Sequence, residues 1–315
     1  MTRNNLLPIS LILTGLVAWA TPTYARRVDP LRVVATLPDL ADIVKEIGGD
    51  RVEVTAIARG KENTHAVPVK PSHLVAMSKA DLFVQIGLSL ESSYVPGLLE
   101  GCRNKAIQAG QPGFLNVSEG WTPLDVPVSL SRKEGDVHPQ GNPHLNLDPG
   151  AGRHIAAQIL EGLVRVDPEG KSGYEARYTA YLEKLEPAEK RWAEMAKSWS
   201  GRKVVVYHQE YNYLANAYGL AILGALEPKP GIAPTPDHLA EIIAKMKTEK
   251  ADVILTALWS NNSTVARVAE QTGATVVELP NMCGGLPGTD TWIDMMNVIH
   301  ERLAKAFEAS AAAAR

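Results

Sequence analysis

Residues 31–49 have the sequence LRVVATLPDLADIVKEIGG, and this stretch decides the fold class. Its first six residues are mostly apolar and rich in β-branched side chains, which is typical of a buried strand. Pro38 and Asp39 then open a segment in which apolar residues recur at helical spacing, and Gly48 follows as a stop signal. The stretch therefore predicts a strand followed directly by an amphipathic helix, the repeating unit of an α/β protein.

The same alternation continues on both sides of one long helical pattern. Further strands are predicted at 52–58 and 82–86, and a second strand and helix series begins at residue 203. Between the two series, residues 173–199 form the longest helical pattern, which Pro187 is expected to kink or divide. The sequence predicts an α/β protein of two βα lobes with mainly parallel sheets, joined by one long interlobe helix.

The amino terminus has the pattern of a secretory signal. Arg3 supplies a positive charge, an apolar run follows, and Ala25 completes a small-x-small cleavage site. The predicted divisions are a signal peptide at 1–25, an N-terminal lobe at 26–170, a linking helix at 171–200 and a C-terminal lobe at 201–315.

After residue 25 the sequence lacks the features of a membrane-embedded chain. No later stretch approaches eighteen uninterrupted apolar residues, which is about the length that a membrane-spanning helix needs. No cysteine stands at the predicted cleavage site directly after the apolar run, so a lipid anchor on the new amino terminus is not expected. An exported chain without a span or an anchor is predicted to be a soluble protein of the periplasm.

Charge and cysteine content narrow the class of partner. The formal net charge is −3, and removal of Arg3 with the signal peptide makes it −4. This mildly acidic balance argues against nucleic acid as a partner, and we expect a monomer. Cys102 and Cys283 lie in opposite halves of the chain. An oxidising compartment would permit a disulfide between them, but the sequence leaves their pairing open.

Three histidines stand in loops just ahead of predicted helices: His65, His144 and His208. Ligands of open α/β sheets collect at the carboxyl ends of the strands, so a cleft between the lobes would bring these side chains together. Three neutral imidazoles suit zinc and other first-row metals, whereas calcium and magnesium prefer oxygen ligands. The remaining helical histidines are predicted to be structural: His73, His154, His238 and His300.

The segments around the three histidines resemble, in order along the chain, the metal loops of the metal-binding proteins of ABC transporters for zinc and manganese. The three segments are ENTH at 62–65, GNPH at 141–144 and YHQ at 207–209. The resemblance covers essentially the whole mature chain. It implies that His65, His144 and His208 are metal ligands supplied by both lobes. It also implies a periplasmic receptor that passes a metal to a membrane permease driven by a cytoplasmic ATPase.

The resemblance also bears on which metal is bound. Manganese-type relatives usually carry a glutamate in the third position, where this chain has His208, so zinc is predicted and manganese is the alternative. Many relatives place an aspartate after the last strand of the second lobe, where this chain has Asn281 and no carboxylate. The fourth ligand therefore stays open among water, His138, Glu210 and Cys283. Glu210 could instead orient His208 by accepting a hydrogen bond from it.

Two other classes of protein could carry these histidines. Three histidines and a water also make a catalytic zinc site, but only Glu210 stands nearby as a general base and no HExxH helix occurs. A receptor for an iron chelate or a corrinoid would need a wide cleft lined by aromatic or arginine side chains. The sequence therefore predicts a metal receptor and not an enzyme.

Overall fold

The computed structural model describes residues 29–127, 138–228 and 231–313. The predicted signal peptide at 1–25 lies outside these residues. In the N-terminal half, the strands are β1 Leu31–Ala35, β2 Val52–Ala56, β3 Leu82–Gln85 and β4 Phe114–Asn116. They form one parallel sheet in the order β2-β1-β3-β4. The helices are α1 Pro38–Gly48, α2 Pro71–Ser78, α3 Val95–Gly101 and α4 Ala151–Val166.

The C-terminal half repeats this plan after a long helix, α5 Lys171–Ala196. Its strands are β5 Lys203–Val206, β6 Ala221–Ala225, β7 Val253–Ala257 and β8 Thr275–Leu279. They form a second parallel sheet in the order β6-β5-β7-β8. The helices are α6 Asn212–Tyr218, α7 Pro236–Glu249, α8 Asn262–Thr272 and α9 Trp292–Ala313. The predicted fold class is confirmed, since two parallel-sheet lobes accompany one long helix.

Helix α1 shows why the opening stretch folds as predicted. Pro38 stands in its first turn, where the missing N–H costs no hydrogen bond. Gly49 ends it with φ 55°, and a Cβ at that position would collide with the side chain of Arg177. One face of the helix is fully buried, and its residues are Leu40, Ile43, Val44 and Ile47. Burial of this face attaches the helix to both its own sheet and α5.

Pro187 does not divide the long helix, although the sequence predicts that it kinks or divides it. Helix α5 runs unbroken from Lys171 to Ala196 with the proline inside it. A proline removes one backbone hydrogen bond, but large side chains on both sides of it are buried, including Tyr181, Leu185 and Trp192. Packing against α1, α4 and α9 stabilises the helix despite the missing hydrogen bond.

Two short elements escaped the sequence patterns, namely α3 and β4. A strand of three residues, Phe114–Asn116, is too short to show a period of two. Its place at the edge of the sheet is set by pairing with β3. Among the described residues, no helix has both the length and the apolar character required to cross a membrane.

Candidate metal centre

The structure brings His65, His144 and His208 together between the two lobes. The Nε2 atom of His144 lies 3.1 Å from Nε2 of His65 and 3.2 Å from Nε2 of His208. One donor atom from each ring falls within 4.8 Å of the others. A tetrahedral zinc ion with bonds of about 2.05 Å has ligand atoms about 3.3 Å apart, so this spacing fits one small cation.

The three rings meet edge to face, with interplanar angles of 73° to 83°. His144 and His208 are buried, and His65 is half-buried at the rim. Burial lowers the pKa of His65 and of His144 well below the ordinary value, and the neighbouring imidazoles lower both further. These two rings are therefore neutral near pH 7, the form in which imidazole binds a metal.

The loop that follows β2 presents His65. The side-chain oxygen of Asn63 accepts the backbone N–H of His65 at 2.9 Å, an Asx turn that fixes the direction of the chain. The hydroxyl of Ser93, from the loop after β3, donates to the backbone carbonyl of His65. Two side chains thus hold the backbone of this histidine from both sides.

Asn142 links the His144 loop to the other lobe. Its Oδ1 accepts the backbone N–H of His144 at 3.0 Å, and its Nδ2 donates to the carbonyl of Gln209 at 2.7 Å. The hydroxyl of Tyr213 donates to the carbonyl of Asn142 at 2.7 Å, and Asp125 accepts a further bond from Nδ2. The two histidine loops are therefore held in register across the lobes by one amide side chain.

His208 stands directly after β5, and its ring is oriented by a carboxylate. Nδ1 of His208 donates to Oε2 of Glu227 at 2.6 Å, and both side chains are buried. The other oxygen of Glu227 accepts the N–H of Gly231 at 3.0 Å. A ligand imidazole whose second nitrogen donates to a carboxylate has a fixed tautomer and a more basic metal-binding nitrogen.

From the sequence, Glu210 was one candidate for this orienting role, and Glu227 was not identified. The signal was present, because Glu227 follows the end of β6, the parallel neighbour of β5. Residues just beyond the carboxyl ends of paired parallel strands come close together whatever their separation in sequence.

His138 and Glu210, two of the candidates for a fourth ligand, lie near the three histidines but outside their group. His138 stacks on His65 with ring centroids 5.0 Å apart, and Oε2 of Glu210 accepts from Nε1 of Trp259 at 3.3 Å. Neither side chain joins the group of three: within the part of the chain that the structure describes, the only such His, Cys, Asp or Glu group is formed by His65, His144 and His208. Burial raises the pKa of Glu210 to about 7, and nearby His208 opposes this effect.

The thiol of Cys283 lies away from the imidazoles. It donates to Oδ1 of Asp39 at 3.3 Å, and this buried contact joins the loop after β8 to α1. Cys102 and Cys283 are both free, so the structure has no disulfide between them. A thiolate ligand at Cys283 is therefore inconsistent with the described geometry.

The four histidines predicted to be structural have local partners. His73 accepts the N–H of Lys70 at its helix start. His154 and His238 each contact a backbone carbonyl, those of Val117 and Ala225. The remaining one, His300, bonds to Met296 and Tyr218 and stacks on Trp192. These partners account for all four within the two lobes.

Comparison with known proteins agrees with this architecture. The family model for ZnuA, the periplasmic component A of a zinc-uptake complex, matches residues 33–306. A manganese-binding lipoprotein, MntA of Halalkalibacterium halodurans, is 27% identical over 293 residues, covering 91% of this chain and 92% of its own. The high-affinity zinc uptake protein ZnuA of Bacillus subtilis is 25% identical over 250 residues, covering 77% and 74%.

A solved structure described as a crystal structure of ZnuA superimposes with a TM-score of 0.74. It is 24% identical and covers 88% of this chain and 99% of its own, which establishes the shared fold. The predictions of a metal receptor and of a chain that is not an enzyme are confirmed at the level of the family. The chain therefore belongs to the ZnuA family, the substrate-binding proteins that bind a metal and work with the membrane permease of an ABC transporter.

Proposed function

We propose that this protein captures zinc in the periplasm, as a soluble monomer, and delivers it to the permease of an ABC transporter. The ligands are His65, His144 and His208. The observation that supports this best is the convergence of three imidazole Nε2 atoms, with spacings of 3.1 and 3.2 Å, on one point between the lobes. Family membership supports the transport role.

The choice of zinc over manganese rests on the ligand atoms. Manganese prefers sites with carboxylate and other oxygen ligands, whereas a set of three nitrogens favours zinc. No carboxylate belongs to the group of three among the described residues. Since relatives are named for zinc and for manganese, the family alone does not decide between them.

Capture and release follow from the way the site is divided between the lobes. His65 and His144 come from the N-terminal half and His208 from the C-terminal half. A metal held by all three ties the halves together, and separation of the loops removes at least one ligand. Because the long helix α5 packs against both halves, we expect release to involve small movements of loops rather than wide hinge closure.

Competition titration of the mature, metal-stripped chain tests the proposal. We expect one zinc per chain, bound more tightly than manganese, with affinity about 100-fold lower in His208→Ala. His238→Ala is the matched control, since His238 bonds to the carbonyl of Ala225 and to its own helix start, and it is not part of the group of three histidines. Preference for manganese, or zinc binding that is indifferent to His208, would overturn the proposal.

A further inference from the structure

Glu210 is a buried carboxylate that lacks adequate partners. Its side chain is 0% exposed, and its Oε1 atom makes no hydrogen bond with any residue that the structure describes. Its Oε2 atom accepts one long bond, at 3.3 Å, from Nε1 of Trp259. Removing a carboxylate from water without a cation or several donors is unfavourable, so this arrangement needs an explanation.

Other buried carboxylates of the described chain are better satisfied. Glu91 accepts the hydroxyl of Thr36 at 2.8 Å and two backbone N–H groups. Glu227 accepts bonds on both oxygens. Asp39 accepts the N–H and the thiol of Cys283 on one oxygen. Glu210 is therefore the least compensated of these four, and a structural role of the kind that Glu91 has does not fit it.

The position of Glu210 points to the metal site. It follows His208 by two residues in the same turn, and the titratable side chains that act on its charge are those of His208 and Glu227. Trp259, which donates to Glu210, also packs its ring edge to face against His208 with centroids 5.5 Å apart. The tryptophan thus holds the carboxylate beside the ligand.

Within the described ranges, two more unpartnered oxygens lie on the loops around the histidines. Oγ1 of Thr64 is buried without a hydrogen bond, and Thr64 precedes His65. Oδ1 of Asn281 is also buried without a bond, while its Nδ2 donates to the carbonyl of Glu62 in the same loop. Unsatisfied acceptors on three segments at the site require hydrogen donors that the described part of the chain does not supply.

We propose that Glu210 holds a water molecule on the fourth coordination position of the bound metal, by accepting a hydrogen bond from that water with Oε1. Water fits better than the carboxylate as the fourth ligand, because the oxygens of Glu210 do not join the group of three nitrogens. The inference rests on the proposed function and deepens it. The carboxylate lowers the net charge of the loaded site by one, and the cation in turn stabilises the buried carboxylate.

Loss of the Glu210 charge should therefore have opposite effects on the stability of the metal-free chain and on its affinity for zinc. Without metal, Glu210 destabilises the folded chain, so the isosteric variant Glu210→Gln should unfold at an equal or higher temperature. With metal, the same variant loses a charge partner, so its zinc affinity should fall by about tenfold or more. Replacement of a purely structural carboxylate would instead lower the stability of the metal-free chain and leave the zinc affinity of the folded chain unchanged.

The control is Glu91→Gln, which changes a buried carboxylate that already has three donors. This variant should be less stable without metal and should keep the zinc affinity of the folded chain. A second measurement does not depend on stability. In cobalt-loaded protein, azide should bind more tightly to Glu210→Gln than to wild type, since the site then carries a higher positive charge, and the visible absorption of cobalt reports it.

The outcomes separate the two proposals. Failure of the wild-type chain to bind zinc defeats the proposed function and this inference with it. Normal binding by wild type, with unchanged zinc and azide affinity in Glu210→Gln, defeats this inference alone. Lower metal-free stability of Glu210→Gln would also overturn it, because the carboxylate would then be a structural element.

Discussion

Nδ1 of His208 donates to Oε2 of Glu227 at 2.6 Å, while Nε2 of the same ring lies 3.2 Å from Nε2 of His144. Nδ1 thus donates its hydrogen to a carboxylate. Nε2 keeps an unshared electron pair and faces the histidines of the other lobe. Since Glu227 is also bonded to Gly231, it is a fixed acceptor rather than a mobile one.

Removal of this carboxylate charge should weaken zinc binding. Glu227→Gln keeps the shape of the side chain but makes Nε2 of His208 less basic. The neutral amide also no longer holds the hydrogen of the His208 ring on Nδ1 as strongly. We expect zinc affinity to fall by about 10- to 100-fold, measured by competition with a chromophoric chelator. Glu249→Gln, which changes an exposed carboxylate paired with Lys203, is the control. Equal affinity in the two variants would refute a role for Glu227 in orienting His208.

Loss of the Asn142 side chain should uncouple the two histidine loops. Asn142→Ala removes bonds to His144, Gln209 and Asp125, so we expect weaker zinc binding and a loss of about 2 kcal/mol in the free energy of unfolding. Urea unfolding and zinc titration measure the two effects.

Asn104→Ala is the matched control for this prediction. Asn104 also donates twice through Nδ2, to Met77 and Ala80, but within one lobe and away from the site. It should lose a similar amount of stability and keep its zinc affinity. If the two variants bind zinc equally well, the link across the lobes does not position the ligands.

Acid should weaken both the metal-free fold and zinc binding through His65 and His144. Their folded pKa values lie well below the ordinary value of 6.5, so below about pH 6.5 the unfolded chain takes up protons that the folded chain does not. The contribution of each ring to the free energy of unfolding therefore falls as the pH drops. Between the ordinary pKa and the lower folded pKa, this loss is about 1.4 kcal/mol for each pH unit.

Buried carboxylates change the stability in the opposite direction as the pH falls. The effect of a histidine is therefore measured as the difference in stability between wild type and a histidine variant at each pH. The pKa values of Asp39, Glu91 and Glu210 are raised to about 7, which stabilises the fold as the pH falls towards their ordinary range. We expect His144→Gln to lose less stability than wild type between pH 7 and pH 5, in thermal unfolding of metal-free protein. Parallel pH curves would contradict the assignment of neutral His144.

Both thiols should be inaccessible in the folded chain. Cys102 and Cys283 are free and buried, and burial, followed by the charge of Asp39, raises the pKa of Cys283 well above its ordinary value. A thiol reagent should therefore modify two cysteines in denaturant and neither under native conditions. Cys283→Ser should keep the zinc affinity of wild type, and a large loss of affinity would restore Cys283 as a candidate ligand.

Local patterns were sufficient for the fold class. Residues 31–49 encode a strand and an amphipathic helix because apolar side chains recur with the periods of those elements, and this holds before any tertiary contact forms. The pattern was insufficient for β4, whose three residues show no period, and it left open whether Pro187 kinks or divides the long helix. In both cases packing against a neighbouring element decided the outcome.

The sequence by itself determined the two βα lobes, the long helix between them and the positions of His65, His144 and His208, because periodicity and flanking residues act over short distances. Only the tertiary structure decided that three Nε2 atoms converge, that Glu227 orients His208 and that Asn142 joins the lobes. It alone also decided that Glu210 is buried without adequate donors. These features depend on which strand ends lie side by side, a relationship set by sheet order and lobe packing and invisible in local spacing.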